Sequence, residues 1–223
     1  MDFSVETPDN YEQKCLCVLV LDVSGSMDGE PIKQLNIGIQ DFYDDIKGNS
    51  TTANRLEICI VEFSDTTKVL VEPSLTDNFT MPVLTTKGTT KLVDGVRVAI
   101  KKAEDRKNWY KQTKQKYYRS WLILITDGAP DAGQDITGLT QEIKAGMIAK
   151  SFNFFAVGVQ GARMDILQQI SSPEMQPAML EGLKFSDFFK WLSASMTTIT
   201  NSIDGEQVDL SRGASSWMGG FKI

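Results

Sequence analysis

The chain has 223 residues, 41% apolar and 23% charged, which describes one soluble globular domain with a sizeable core and leaves too little for two. A net charge of −6 argues against a general nucleic-acid binder, which needs a basic field, and the complete absence of histidine excludes Ser-His-Asp and Cys-His catalysis and His-based zinc sites. The longest apolar runs are about 8 residues, far below the ~20 that span a bilayer, so no membrane segment is expected.

In chain order, "MDFSVETPDNYEQK" is polar and acidic and does not resemble a secretory signal; residues 1–13 read as an N-terminal extension and the compartment as cytoplasmic. "KCLCVLVLD" (14–22) is an apolar run of strand length. Pro31 suits a helix first turn, and Ile32, Leu35, Ile39, Phe42, Tyr43 and Ile46 follow at helical spacing. "RLEICIVEF" (55–63) alternates as a strand, and "KVLVE" (68–72) returns after a turn-rich link, which predicts a hairpin and an antiparallel edge. A long loop over 73–89 carries Pro73, Pro82 and Gly88, and a helix follows over about 91–106. "SWLILITD" (120–127) is a second buried strand that ends in an aspartate. A helix (135–150), a strand (152–159), a short helix (163–171), a short strand (178–181) and an amphipathic last helix (185–202) complete the pattern. The tail, 204–223, is rich in small residues and is expected to wrap loosely on the surface of a domain spanning 14–203.

This alternation, with highly apolar central strands, predicts an α/β fold. A doubly wound, mostly parallel central sheet has one antiparallel edge strand and helices on both faces. Cys15 and Cys17 share one strand face, a poor disulfide geometry, and all three cysteines, Cys59 included, read as small buried hydrophobes of a reducing compartment. Between Lys101 and Arg119 eight basic residues face only Glu104 and Asp105, with Trp109, Tyr110, Tyr117 and Tyr118 among them. That segment is either a solvated helix end with its loop or a docking patch for an acidic partner.

In such folds the working site lies outside the carboxyl ends of the strands. Three stretches converge there: "DVSGS" from Asp22 to Ser26, "KGTTKL" (87–92), and "DGAPD" from Asp127 to Asp131. Each alone reads as a turn or a helix cap. Together they supply two carboxylates and three hydroxyls, a donor set that suits a hard cation such as Mg²⁺ or Mn²⁺. Two aspartates neutralise a dication, and neutral hydroxyls add no charge. One open position is therefore free to take a carboxylate from outside, which a cage of many carboxylates would repel.

"LVLDVSGSM", "GTTKLVDGVRVAI" and "ILITDGAP" resemble the von Willebrand factor A domain, whose metal-ion-dependent adhesion site follows Asp-x-Ser-x-Ser, then a Thr, then an Asp. The resemblance runs from about 14 to 203. It implies a metal site of Asp22, Ser24, Ser26, Thr90 and Asp127, with Ser24 and Ser26 as direct ligands and the two aspartates acting mainly through water. Thr90 would join when a partner protein offers an Asp or Glu carboxylate, and Leu92 and Gly95 set the register, with Thr89 as the alternative. "SGSMDGEPIKQLNIGIQDF" and "FSDFFKWLSASM" are similar to stand-alone bacterial members of the tellurium-resistance type. That likeness implies an intracellular, non-enzymatic interaction module of a stress-response or defence-type system. In some relatives the last helix shifts on binding. Glu30, Asp28 and Asp131 flank the site and read as first-turn and loop charges.

Two other readings compete. An aspartyl-nucleophile, Mg²⁺-dependent phosphohydrolase of the haloacid dehalogenase type also begins with an Asp at a strand end. It normally has a general acid two residues on, where this chain has Ser24. A scaffold with a degenerate metal site would bind through the basic segment or the tail.

Overall fold

The computed structural model describes residues 10–202 and 210–219. The N-terminal extension therefore lies mostly outside the described residues, as do positions 203–209 and 220–223 of the tail. Six strands form one sheet: β1 (Cys15–Asp22), β2 (Leu56–Phe63), β3 (Thr67–Leu75), β4 (Ser120–Thr126), β5 (Phe152–Gly158) and β6 (Ala178–Met179). Their order is β3-β2-β1-β4-β5-β6, and every pair is parallel except β2 with β3. The doubly wound, mostly parallel sheet with one antiparallel edge is borne out.

The apolar run of β1 is central and buried along its whole length. Successive side chains point to opposite faces, so one strand feeds two cores. Cys15, Cys17, Leu19 and Leu21 pack with α1 (Glu30–Gly48) and α6 (Phe185–Asn201). Leu16, Val18 and Val20 pack with α3 (Leu92–Gln112), α4 (Ile136–Ile148) and α5 (Met164–Ile170). A short helix, α2 (Ser50–Arg55), has no apolar stripe and escapes the sequence pattern; Asn49 caps its start by accepting from the Thr52 amide.

Several boundaries differ from expectation for physical reasons. β3 continues through Pro73 to Leu75 instead of ending at 72. A proline is tolerated there because β3 is the sheet edge and its pairing with β2 is interrupted by register shifts. Helix α3 runs six residues past the expected end because Arg106, Trp109 and Tyr110 are buried along it, at 3%, 3% and 0% exposure. The Arg106 guanidinium sits between the Trp109 ring, 3.9 Å from its centroid, and the carboxylate of Glu57, 2.6 Å from Nη2. Lys102 pairs with Glu72 at 2.9 Å, and Lys101 with Asp105 at 3.0 Å. Three of the eight basic residues are thus paired with the domain's own acids, and the aromatic residues Trp109 and Tyr110 belong to the core. The tail does not wrap loosely at 210–219. Trp217 is fully buried against Phe155, Phe188 and Trp191, Met218 bridges Leu180, and the Gly219 amide donates to the Met179 carbonyl at 2.9 Å. Burying an indole of that size outweighs the weak local preferences of the surrounding small residues.

Candidate metal centre

β1 and β4 are adjacent and parallel, yet the helix that follows β1 packs on one face and the helix that follows β4 packs on the other. The chain leaves the two strand ends in opposite directions, which opens a crevice between them. Asp22 is the last residue of β1, and Asp127 follows the last residue of β4.

The loop after β1 turns back through a single 3₁₀ turn, Gly25–Met27. Asp22 anchors it by accepting from the Ser24 amide at 2.8 Å. From there a chain of oxygens crosses to the second strand end. Ser24 Oγ lies 3.0 Å from Ser26 Oγ, and Ser26 Oγ donates to Asp127 Oδ1 at 2.7 Å.

The third stretch arrives from the long connection after β3. Asn36 on α1 staples this connection, accepting from the Leu84 amide at 2.8 Å and donating to its carbonyl at 3.0 Å. Lys87 then donates its amide to the Val23 carbonyl at 2.8 Å, and the Gly25 amide donates to the Gly88 carbonyl at 3.1 Å. Gly88 has φ +61°, and a Cβ there would strike the Asp65 carboxylate, so the position requires glycine.

These bonds settle which threonine faces the crevice. Thr89 is exposed and donates its hydroxyl to Asp131 at 2.6 Å. Thr90 is 7% exposed, and its backbone is held by Asp131 and Gln134. Its own hydroxyl has no hydrogen-bond partner among the described residues. A Cβ built on Gly128 would stand 3.0 Å from Thr90 Oγ1 and 3.5 Å from Asp22 Oδ2, so the absent side chain of Gly128 keeps open the space where both oxygens point.

The structure therefore brings together Asp22, Ser24, Ser26, Thr90 and Asp127. It adds two residues that sequence reasoning did not single out. Thr126, fully buried, donates its hydroxyl to Asp22 Oδ2 and receives the Gly128 amide at 3.3 Å, so it fixes the carboxylate and the following loop at once. Gly128 supplies the open space. Nothing in the local sequence separates these two from an ordinary strand end and turn. Asp28 and Glu30 do not enter the cluster: Asp28 accepts from Thr86 at 2.9 Å and Glu30 from Gln34 at 2.7 Å.

Burial pushes the Asp22 carboxyl above the usual carboxylate range; hydrogen bonds from Ser24 and Thr126 oppose this, and the charge of Asp127 adds to it. Burial likewise raises Asp127, against the hydrogen bond from Ser26. Two like charges in a poorly solvated crevice bind a proton too well, and a dication relieves the same strain more fully. Among the described residues no three His, Cys, Asp or Glu side chains cluster. The donor set is two carboxylates and three hydroxyls, all oxygen, which fits a hard divalent cation and leaves it net electrophilic.

A family model for the von Willebrand factor type A domain matches residues 17–189, well over half of the chain. No curated protein sequence matches closely enough to count as a relative. Solved structures share the fold at low identity. The pilus adhesin SpaC from Lactobacillus rhamnosus GG superposes with a TM-score of 0.67 at 15% identity, over 87% of this chain and 31% of the adhesin. Proximal thread matrix protein 1 from the mussel byssus, with a zinc-occupied MIDAS motif, gives 0.56 at 20% identity over 83% of this chain and 48% of that one. A paralog of ArnB from Sulfolobus acidocaldarius gives 0.56 at 16% identity, over 82% and 45%. The chain thus spans less than half the length of each of these proteins.

Proposed function

The chain belongs to the von Willebrand factor type A family, and from that premise we propose that it is a metal-ion-dependent protein-interaction module, not an enzyme. The observation that carries this reading is Thr90: the residue is 7% exposed, and its hydroxyl, with no hydrogen-bond partner among the described residues, borders the same small space as Asp22 Oδ2. Asp22, Ser24, Ser26, Thr90 and Asp127 would hold Mg²⁺ or Mn²⁺, which when bound supplies an electrophilic anchor for a carboxylate of a partner protein. Zinc occupies the corresponding motif in the byssus protein; the all-oxygen set here favours the harder ions.

The chain's own residues do the positioning. Ser24 and Thr126 hold the two oxygens of Asp22 in place, Ser26 orients Asp127, and Asp131 fixes the backbone on which Thr90 stands. The same bonds argue against the phosphohydrolase reading. Asp22 is fully buried with a donor on each oxygen, which blunts it as a nucleophile, and Ser24 stands where the general acid belongs. The likeness of 24–42 and 185–196 to the tellurium-resistance type supports a bacterial stress-response or defence setting. Three free, buried cysteines support a reducing, cytoplasmic compartment. Among the described residues no helix is long and apolar enough to cross a membrane.

The test is an affinity capture of partners with and without chelator, compared with Asp22→Ala and Ser24→Ala. Capture that needs Mg²⁺ or Mn²⁺ and fails in both variants is expected. Capture unaffected by the chelator and by Asp127→Ala would favour the scaffold reading instead.

A further inference from the structure

Three carboxylates outside the candidate metal seat lie along the loop that delivers Thr90. Asp28 accepts from Thr86 at 2.9 Å, Asp65 lies against Gly88, and Asp131 accepts from Thr89 at 2.6 Å. Asp28 and Asp65 are exposed and Asp131 is half-buried, so all three present charge to solvent around the mouth of the crevice. The loop's two cations offset this charge only in part. Lys87, in the same loop, turns its ammonium onto Glu62 at 2.7 Å, whose side chain is only 7% exposed, and so neutralises a buried charge and not the rim. Lys91 is the remaining cation of that loop. The seat beneath points to a ligand independently of this acidic rim, through Thr90, a residue 7% exposed whose hydroxyl has no hydrogen-bond partner among the described residues and borders, with Asp22 Oδ2, the space at Gly128.

These two features pull in opposite directions on an incoming group. The seat calls for an anion, and the rim repels one. A partner resolves the conflict only by placing a single carboxylate at the seat and positive charge around it, within the distance of about 10 Å over which exposed charges interact at ordinary salt. We infer that the partner of this surface is a protein segment whose metal-seeking Asp or Glu is flanked by Lys or Arg. The inference rests on the metal-dependent reading of the seat. It makes the rim a selectivity filter: acidic surfaces, which are rich in carboxylates, are turned away, while a lone carboxylate in a basic setting is steered in.

The experiment is a titration of the ¹⁵N-labelled chain, loaded with Mg²⁺, with three soluble peptides: an Asp flanked by two lysines on each side, the same Asp flanked by glutamates, and the lysine peptide with Asn in place of Asp. Shifts of the Ser24, Ser26 and Thr90 amides report binding. The lysine-flanked Asp is expected to bind about tenfold more tightly than the glutamate-flanked one, with the preference shrinking as salt rises from low to about 0.5 M. It should also shrink several-fold in Asp28→Asn/Asp65→Asn, in which the amide oxygens can still accept from the hydroxyls of Thr86 and Ser64, as the carboxylates do at 2.9 and 3.1 Å. A parallel Mn²⁺ titration shows that the seat survives in that variant. Equal affinity for both Asp peptides, or an undiminished preference in the double variant, overturns the inference while leaving metal-dependent binding standing. Binding of the Asn peptide as tightly as the Asp peptide, or binding that ignores a chelator, overturns the reading of the seat itself.

Discussion

Gly128→Ala separates the stability of the fold from the capacity of the site. The added methyl would lie 3.0 Å from Thr90 Oγ1, 3.2 Å from Thr90 Cγ2 and 3.5 Å from Asp22 Oδ2. The first two distances are tighter than ordinary contact, so Thr90 must give way by a few tenths of an ångström. The backbone has no objection, because Gly128 is not among the glycines with positive φ. At such a position alanine restricts the unfolded chain and stabilises by about 0.4–1 kcal/mol, which offsets the local squeeze. The variant should therefore melt, in chelator, within about 4 °C of the parent chain, the shift that ~1 kcal/mol gives in a domain of this size. Its metal affinity should fall at least tenfold, or about 1.4 kcal/mol, because the methyl stands against both oxygens that converge on the seat. Scanning calorimetry in chelator and calorimetric titration with Mn²⁺ measure the two quantities. A variant that binds Mn²⁺ as well as the parent refutes the assignment of that space to the cation. A variant that loses several kcal/mol of stability refutes the claim that the space is open.

Arg106→Ala leaves the Glu57 carboxylate, 2% exposed, without its ion-pair partner and with the Tyr110 hydroxyl as a remaining donor. A loss of about 3–5 kcal/mol is expected in urea unfolding, since an uncompensated buried charge costs that much; metal affinity should not change, because the pair joins β2 to α3 away from the crevice. The three thiols are buried, and burial pushes Cys15 up to about 12, raises Cys59 further, and lifts Cys17 well above the ordinary thiol range. Native protein at pH 8 should resist iodoacetamide over hours and react at three sites per chain once unfolded, as counted by mass spectrometry. Because these pKa values are raised in the folded state, stability is intact below the ordinary thiol range and declines as pH climbs above it, where only unfolded thiols ionise. Rapid alkylation of the native chain would show that the central strands open far more readily than their packing implies.

Gly38 on α1 has Phe189 and Phe185 so close that a Cβ would meet the Phe189 ring at 2.5 Å. Hydroxyls of Ser186 and Ser193 each donate at 2.9 Å to Asp41 and Asp45. Helix α6 is therefore registered against α1 by shape and by two charge-assisted bonds. The periodicity of 185–202 exposes the apolar stripe, but not these partners, which lie about 145 residues earlier in the chain.

What the sequence determined by itself is whatever depends on local order and period. The apolar runs of β1 and β4 read as buried strands by their length, the spacing from Ile32 to Ile46 reads as an amphipathic helix, and Asp22 with Ser24 and Ser26 marks a small polar segment at a strand end. What only the tertiary structure decided depends on where distant segments meet. That Thr90 and not Thr89 faces the crevice rests on Asp131 and Gln134, some forty residues on, which pull one hydroxyl outward and leave the other facing the crevice. The role of Thr126 rests on β4 lying beside β1, and that of Gly128 on the space its missing Cβ leaves. Trp217 looked like part of a loose tail because local composition cannot show a cavity among Phe155, Phe188 and Trp191 that an indole fills. Period and composition report how each segment prefers to fold, whereas the partner of a buried hydroxyl or ring is fixed only when the sheet order brings it within reach.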